Sequence, residues 1–175
     1  MLFFFLWKSV YWIYLHPTRL IDAPLTNMVG RQTVALLNWV HHTNEFTSYP
    51  YLATKFFEGV LLENNVARIN FHNHKSMNIA DGCNGLELFV LYVGFLLCMP
   101  ASISRKLFFI AIGIPILHLA NVLRCFGLVE LQIYLARYFE FAHHYVFKIV
   151  VYGIIFLLWI WFSRKIDIRL AEKNV

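Results

Sequence analysis

Three side chains of this chain have the chemistry of an acyl-transfer site: the thiol of Cys83, the guanidinium of Arg124 and the imidazole of His143. A thiol attacks a carbonyl, an imidazole moves protons and a guanidinium holds developing negative charge. Cys83 stands in the run Gly82-Cys83-Asn84-Gly85, directly before the apolar stretch that opens at Leu86. A helix starting there leaves its first N–H groups unpaired and its positive dipole end facing Cys83, which favours a thiolate. Gly82 and Gly85 leave room for a carbonyl to approach the backbone. Each residue also has a bland reading. Cys83 could be a small buried hydrophobe at a glycine turn, Arg124 a snorkelling interfacial arginine, and His143-His144 a polar helix start.

The elements that must position these residues are set by composition. Of 175 residues, 59% are hydrophobic and only 14% charged, against roughly 25% charged in an ordinary soluble domain. The mean hydropathy is +0.59. This predicts an integral membrane protein. The net charge of +5 would suit nucleic acid, but the basic residues adjoin apolar spans, as membrane topology requires, so no nucleic-acid partner is expected. The partner is the lipid bilayer. Apolar spans run over Leu86–Met99, Leu107–Leu123 and Tyr145–Phe162, with Glu87 in the first, Pro115 and His118 inside the second, and Lys148 in the third. Each is near or below the lower limit of about 17 residues for a spanning helix. Leu2–Leu15 is shorter, carries Lys8 and is read as a fourth span or an uncleaved anchor. Arg105-Lys106 and the tail residues Arg164, Lys165, Arg169 and Lys173 should be cytoplasmic. The long segment 16–82 is then on the outer face.

A ruler applied to these spans gives the three groups a common depth. At 1.5 Å per residue, Gly85 to Ser104 is roughly 28 Å, Lys106 to Arg124 about 27 Å and His143 to Arg164 about 32 Å. The hydrocarbon core is about 30 Å thick. Cys83, Arg124 and His143 each lie one membrane thickness from a basic anchor, on three different spans. That shared depth weighs against the bland readings taken together. Arg124 at an outer end also breaks the basic-inside bias, so a task is expected of it.

Other features carry less. Val34–Val40 is a short apolar patch read as interfacial. Val66–His72 alternates apolar and polar residues as a strand does, Asn73-His74-Lys75 could turn it, and Ser76–Ala80 could return as a hairpin. Leu128–Ala142 is mixed and reads as an outer interfacial helix. His72-x-His74 supplies two ligands, which is not a metal site, and His41-His42 is similar. Asn121 lies one turn from both His118 and Arg124 and is a candidate to support the site. Cys98 and Cys125 are read as packing, Cys125 because it points about 100° away from Arg124.

Cys83-Asn84-Gly85-Leu86, then Pro115 followed by Leu119-Ala120-Asn121-Val122-Leu123-Arg124, then His143 before the last span, resemble the exosortase/archaeosortase family, whose motifs come in this order. Asn84 stands where the family usually has Ser, and His144 follows His143 where an acidic residue is common, so the acting histidine is His143 or His144. The resemblance implies a compact all-α integral-membrane helical bundle of about four transmembrane helices, with a short outer-face segment that can hold the β-hairpin. It divides one membrane domain, 1–175, into a first span or anchor (2–15), an outer-face segment (16–82), a catalytic transmembrane core (84–162) and a cytoplasmic tail (163–175). It further implies a cysteine transpeptidase or protease of the cell inner membrane, multi-pass, with its active site on the outer, periplasmic face. Its substrates would be exported proteins with a carboxy-terminal membrane-anchoring sorting signal, cleaved through a thioester. Cys83, Arg124 and His143 would be catalytic, with Gly82, Asn84, Gly85 and Asn121 in support and with no metal or organic cofactor required. Two other readings stand beside it: a non-catalytic membrane subunit that binds a partner helix, and a membrane thiol oxidoreductase using Cys125 as its second cysteine.

Overall fold

The computed structural model describes residues 21–57, 60–72 and 74–172, so the expected first span at Leu2–Leu15 lies outside the described residues. Among them the elements are α1 (Asp22–His41), β1 (Phe46–Phe57), β2 (Val60–Phe71), β3 (His74–Ala80), a 3₁₀ turn (Asp81–Cys83), α2 (Leu86–Cys98), α3 (Ile103–Tyr134), α4 (Ala136–Phe141), a π-helical turn (Ala142–Val146) and α5 (Phe147–Glu172). The protein is mostly helical. It is not all-α, because three strands form one antiparallel sheet in the order β1-β2-β3.

The segment before Cys83 is more ordered than its polarity suggested. Thr26, Val29, Gly30, Thr33 and Leu37 recur at helical spacing and give α1 one buried face; the interfacial patch expected at Val34–Val40 is the end of this helix. Its last residue is followed by His42 in the left-handed conformation (φ 50°), whose N–H closes the helix on the Asn38 carbonyl. Asn38 then bonds both backbone groups of Phe46, at 3.0 and 3.1 Å, and so fixes where β1 begins. Ala67, Ile69, Met77 and Ile79 turn the buried face of β2 and β3 toward α1. Gly30 allows the approach, since a Cβ there would lie 2.6 Å from that of Ala67.

Two helices, Ile103–Tyr134 and the stretch Ala136–Arg164, are long and apolar enough to cross a membrane. Leu107, Phe108, Leu119 and Leu123 on α3, and Ile149, Val150, Phe156 and Leu157 on α5, are exposed. An outward face this apolar belongs in lipid. Two expectations are corrected. The 13 residues of α2 make only about 20 Å of helix, and Met99 and Ser102 after it are extended, so the depth ruler cannot treat Gly85–Ser104 as one helix. The second span does not stop at Arg124. α3 continues to Tyr134 over 32 residues, about 48 Å, and absorbs most of the stretch read as a separate interfacial helix; only Ala136–Phe141 remains as one.

The hydrophobic residues form two cores along α3. One joins α1, the sheet and the Val122–Val129 half of α3. The other joins Leu88, Tyr92 and Leu96 of α2, Phe109 and Leu117 of α3, and Val151, Ile155, Leu158 and Phe162 of α5. At the far end of the second core, Lys106 Nζ donates to the Leu97 carbonyl at 2.8 Å and Arg105 donates to the Phe162 carbonyl. These cations therefore tie helix ends together as well as marking an end of the bundle.

Candidate functional site

The junction between the two cores is where Cys83, Arg124 and His143 meet. Cys83 closes the 3₁₀ turn and is half-buried. Its Sγ lies 4.0 Å from His143 Nε2 and 3.9 Å from an Arg124 terminal nitrogen, both within reach of a sulfur hydrogen bond. The three residues come from three separate segments: the turn before α2, the middle of α3 and the π-helical turn before α5.

On α3, Asn121, Arg124 and Cys125 occupy positions i, i+3 and i+4, which share a helix face. All three touch Cys83. Asn121 Nδ2 donates to the Cys83 carbonyl at 2.9 Å, the Cys125 thiol points to the same carbonyl at 3.9 Å, and Arg124 reaches the sulfur. Cys125 is fully buried in the core shared with α1 and the sheet; it packs there, and it also contacts the turn that bears Cys83, which the angular argument missed. Pro115 lies inside α3 without ending it.

Of the two glycines flanking Cys83, only Gly85 is demanded by the backbone. It adopts φ +89°, and a Cβ on it would sit 3.2 Å from the Asn121 amide, whereas a Cβ on Gly82 would meet nothing within 4 Å. Asn84 is buried. Its Oδ1 accepts the Leu86 N–H at 2.9 Å, a capping bond for the first turn of α2, and its Nδ2 donates to Asp22 Oδ1 at 2.8 Å.

The two histidines are neighbours inside the π-helical turn and point different ways. His143 faces the thiol, with its ring stacked on Phe139 at 5.7 Å between centroids, while the exposed His144 turns to Glu140 at 3.1 Å. One inserted residue in a helical turn rotates everything after it, and such insertions recur at functional sites. Close packing of Phe147 against Gly127, where a Cβ would lie 2.7 Å from the ring, holds the start of α5 beside α3.

Arg124 also links two open spaces. A small pocket of about 110 Å³ is lined by Gly82, Gly85, Glu87, Arg124, Lys148 and Tyr152. A larger apolar groove of about 290 Å³ runs between α3 and α5, past Leu119, Leu123, Val150 and Ile154, and also ends at Arg124. Lys148, Glu87 and Tyr152 were not singled out from sequence. The available signal was charge at Glu87 and Lys148 inside otherwise apolar spans, which by default marks function.

Other histidines among the described residues lie elsewhere. His72 pairs with Glu45 at 3.0 Å, His41 with Glu130 at 2.6 Å, and His118 with Gln32. Among the described residues, no group of three or more His, Cys, Asp or Glu side chains could hold a metal ion. Asp22 and Thr26, which grip Asn84, had no signal in the sequence at all, because they lie about 60 residues before it and meet it only through folding.

Neither curated proteins nor solved structures show a match to the chain. The profile of one family, described as transmembrane exosortase, matches residues 1–161. That match spans nearly the whole chain, including the turn, helix face and histidine that meet at the junction, and the chain belongs to the transmembrane exosortase family.

Proposed function

We propose that this protein is a membrane cysteine transpeptidase or protease that trims the carboxy-terminal sorting signals of exported proteins. The observation that carries the reading is the convergence of an imidazole at 4.0 Å and a guanidinium at 3.9 Å on one half-buried thiol. His143 takes the proton of Cys83, and the sulfur attacks the scissile carbonyl carbon. Electrons move onto the carbonyl oxygen, where Arg124 holds the negative charge. Collapse of this intermediate expels the amine, to which His143 returns the proton, and leaves a thioester on Cys83. An acceptor amine, hydroxyl or water then attacks the thioester and releases the thiol.

The small pocket beside Gly82 and Gly85 suits the scissile peptide. The apolar groove, which shares Arg124 and Val151 with that pocket, suits the membrane-anchored segment that follows. Arg105-Lys106 and the tail are read as cytoplasmic, Leu2–Leu15 as a first span or an anchor, and the sheet with α1 as a cap on the outer, periplasmic face of the inner membrane. The test is a mass-spectrometric comparison of membrane proteins from cells carrying the wild-type chain or Cys83→Ala. Carboxy-terminally trimmed products should vanish with Cys83→Ala at an unchanged level of the protein. Normal trimming in the variant would leave the non-catalytic subunit in front.

A further inference from the structure

The turn that carries Cys83 is gripped from two helices, and only one grip comes from the motif-bearing α3. The other comes from α1. Asn84, the residue next to the thiol, donates from Nδ2 to Asp22 Oδ1 at 2.8 Å and to Thr26 Oγ1 at 3.4 Å, while its Oδ1 accepts the Leu86 N–H at 2.9 Å. Asn84, Asp22 and Thr26 are 1%, 3% and 1% exposed, so the cluster is closed to solvent.

We propose that Asp22 is a positioning residue for Cys83 and acts through Asn84. The proposal rests on the reading of Cys83 as the nucleophile. An asparagine amide can turn over and exchange its oxygen and nitrogen. An acceptor oxygen of Asp22 against Nδ2 decides the orientation, because a flipped amide would set oxygen against oxygen. Only in the observed orientation is Oδ1 left to cap Leu86. That cap, with Gly85 at φ +89°, sets the angle at which the Cys83 turn enters α2. The thiol's approach to His143 and Arg124 depends on that angle, and a misplacement of about 1 Å can cost on the order of 100-fold in rate. In a buried polar cluster each bond also holds its neighbours in place. Serine at position 84 would still offer an oxygen to Leu86 but is too short to reach Asp22. The Asn at this position therefore couples the nucleophile to α1.

The test follows Cys83 itself and needs no substrate. The full chain in detergent micelles is treated with iodoacetamide at pH 7, and the rate of Cys83 modification is read by mass spectrometry per folded molecule. Asp22→Ala should slow it about 10-fold, since the thiol leaves the base that takes its proton. Asp22→Asn should recover most of the rate, because the amide still presents an acceptor oxygen. In an Asn84→Ser background, Asp22→Ala should have no further effect, as expected when one residue works only through the other. An unchanged rate in Asp22→Ala, or an equal extra loss in the Asn84→Ser background, would overturn the proposal. Where Asp22→Ala lowers the folded fraction, Asn84→Ser alone decides: it leaves α1 intact and should slow Cys83 by a similar factor, and a wild-type rate refutes the coupling. Failure of the proposed activity would appear separately, as normal trimming in Cys83→Ala.

Discussion

At the scale of single residues, the chain offers two adjacent imidazoles and uses them differently. His143 stacks on Phe139 and presents Nε2 to the thiol, whereas His144 is exposed and paired with Glu140 one helical turn earlier. The two substitutions should therefore separate. His143→Ala should lower trimming of exported proteins by about 100-fold or more, the range of a lost general acid–base. His144→Ala breaks a surface pair worth about 0.5 kcal/mol and should leave trimming within about twofold of wild type. Comparable losses in both variants, measured by mass spectrometry of the trimmed products, would reassign the base. The order of motifs along the sequence favours His143, and its ring is the one that faces the Cys83 thiol.

At the scale of elements, the site depends on close helix contacts made possible by missing side chains. Tyr92 of α2 lies so near α3 that a Cβ on Gly113 would meet its ring at 2.2 Å, and its hydroxyl donates to the Phe109 carbonyl at 2.8 Å. This contact fixes α2 against α3 well below the thiol, and α2 in turn anchors the turn that bears Cys83. Gly113→Ala should therefore push the helices apart and destabilise the protein by about 1–3 kcal/mol, as overpacking does. The measurement is a lower thermal midpoint of the purified chain in micelles, and an unchanged midpoint would contradict the contact. Nothing in the apolar run around Gly113 announced this, because a glycine in a span says only that something approaches.

At the scale of the whole molecule, two hydrophobic cores share α3, and the thiol sits where one gives way to the other. The lower core has lipid-suited side chains on its outside; the upper one is capped by α1 and the sheet. If the basic end of the bundle is cytoplasmic, an impermeant maleimide applied to intact spheroplasts should label a cysteine placed at the exposed Tyr51 and spare one placed at the exposed Ser104, in a Cys83→Ala, Cys98→Ser background. Labelling of position 104 from outside would invert the orientation and move the site to the cytoplasmic face. The prediction concerns the entire chain, since one reversed helix would carry every other element with it.

The sequence by itself determined that the protein belongs in a membrane, because an outward face of Leu, Ile and Phe is a matter of composition and spacing. It also determined which thiol, guanidinium and histidine pair to consider, since their types and order along the chain are local facts. What it could not decide were relations between distant segments. α3 runs past Arg124 because Leu128 and Val129 pack on α1 and the sheet, a contact with residues far earlier in the chain. β1 pairs with β2 through backbone groups that every residue type but proline carries in full, so its partner left little trace in residue type. The grip of Asp22 on Asn84 spans 62 positions, and the approach of His143 to the Cys83 thiol spans 60. Tertiary structure decided these because a hydrogen bond or a packed side chain selects its partner by position in space, which chain order does not encode.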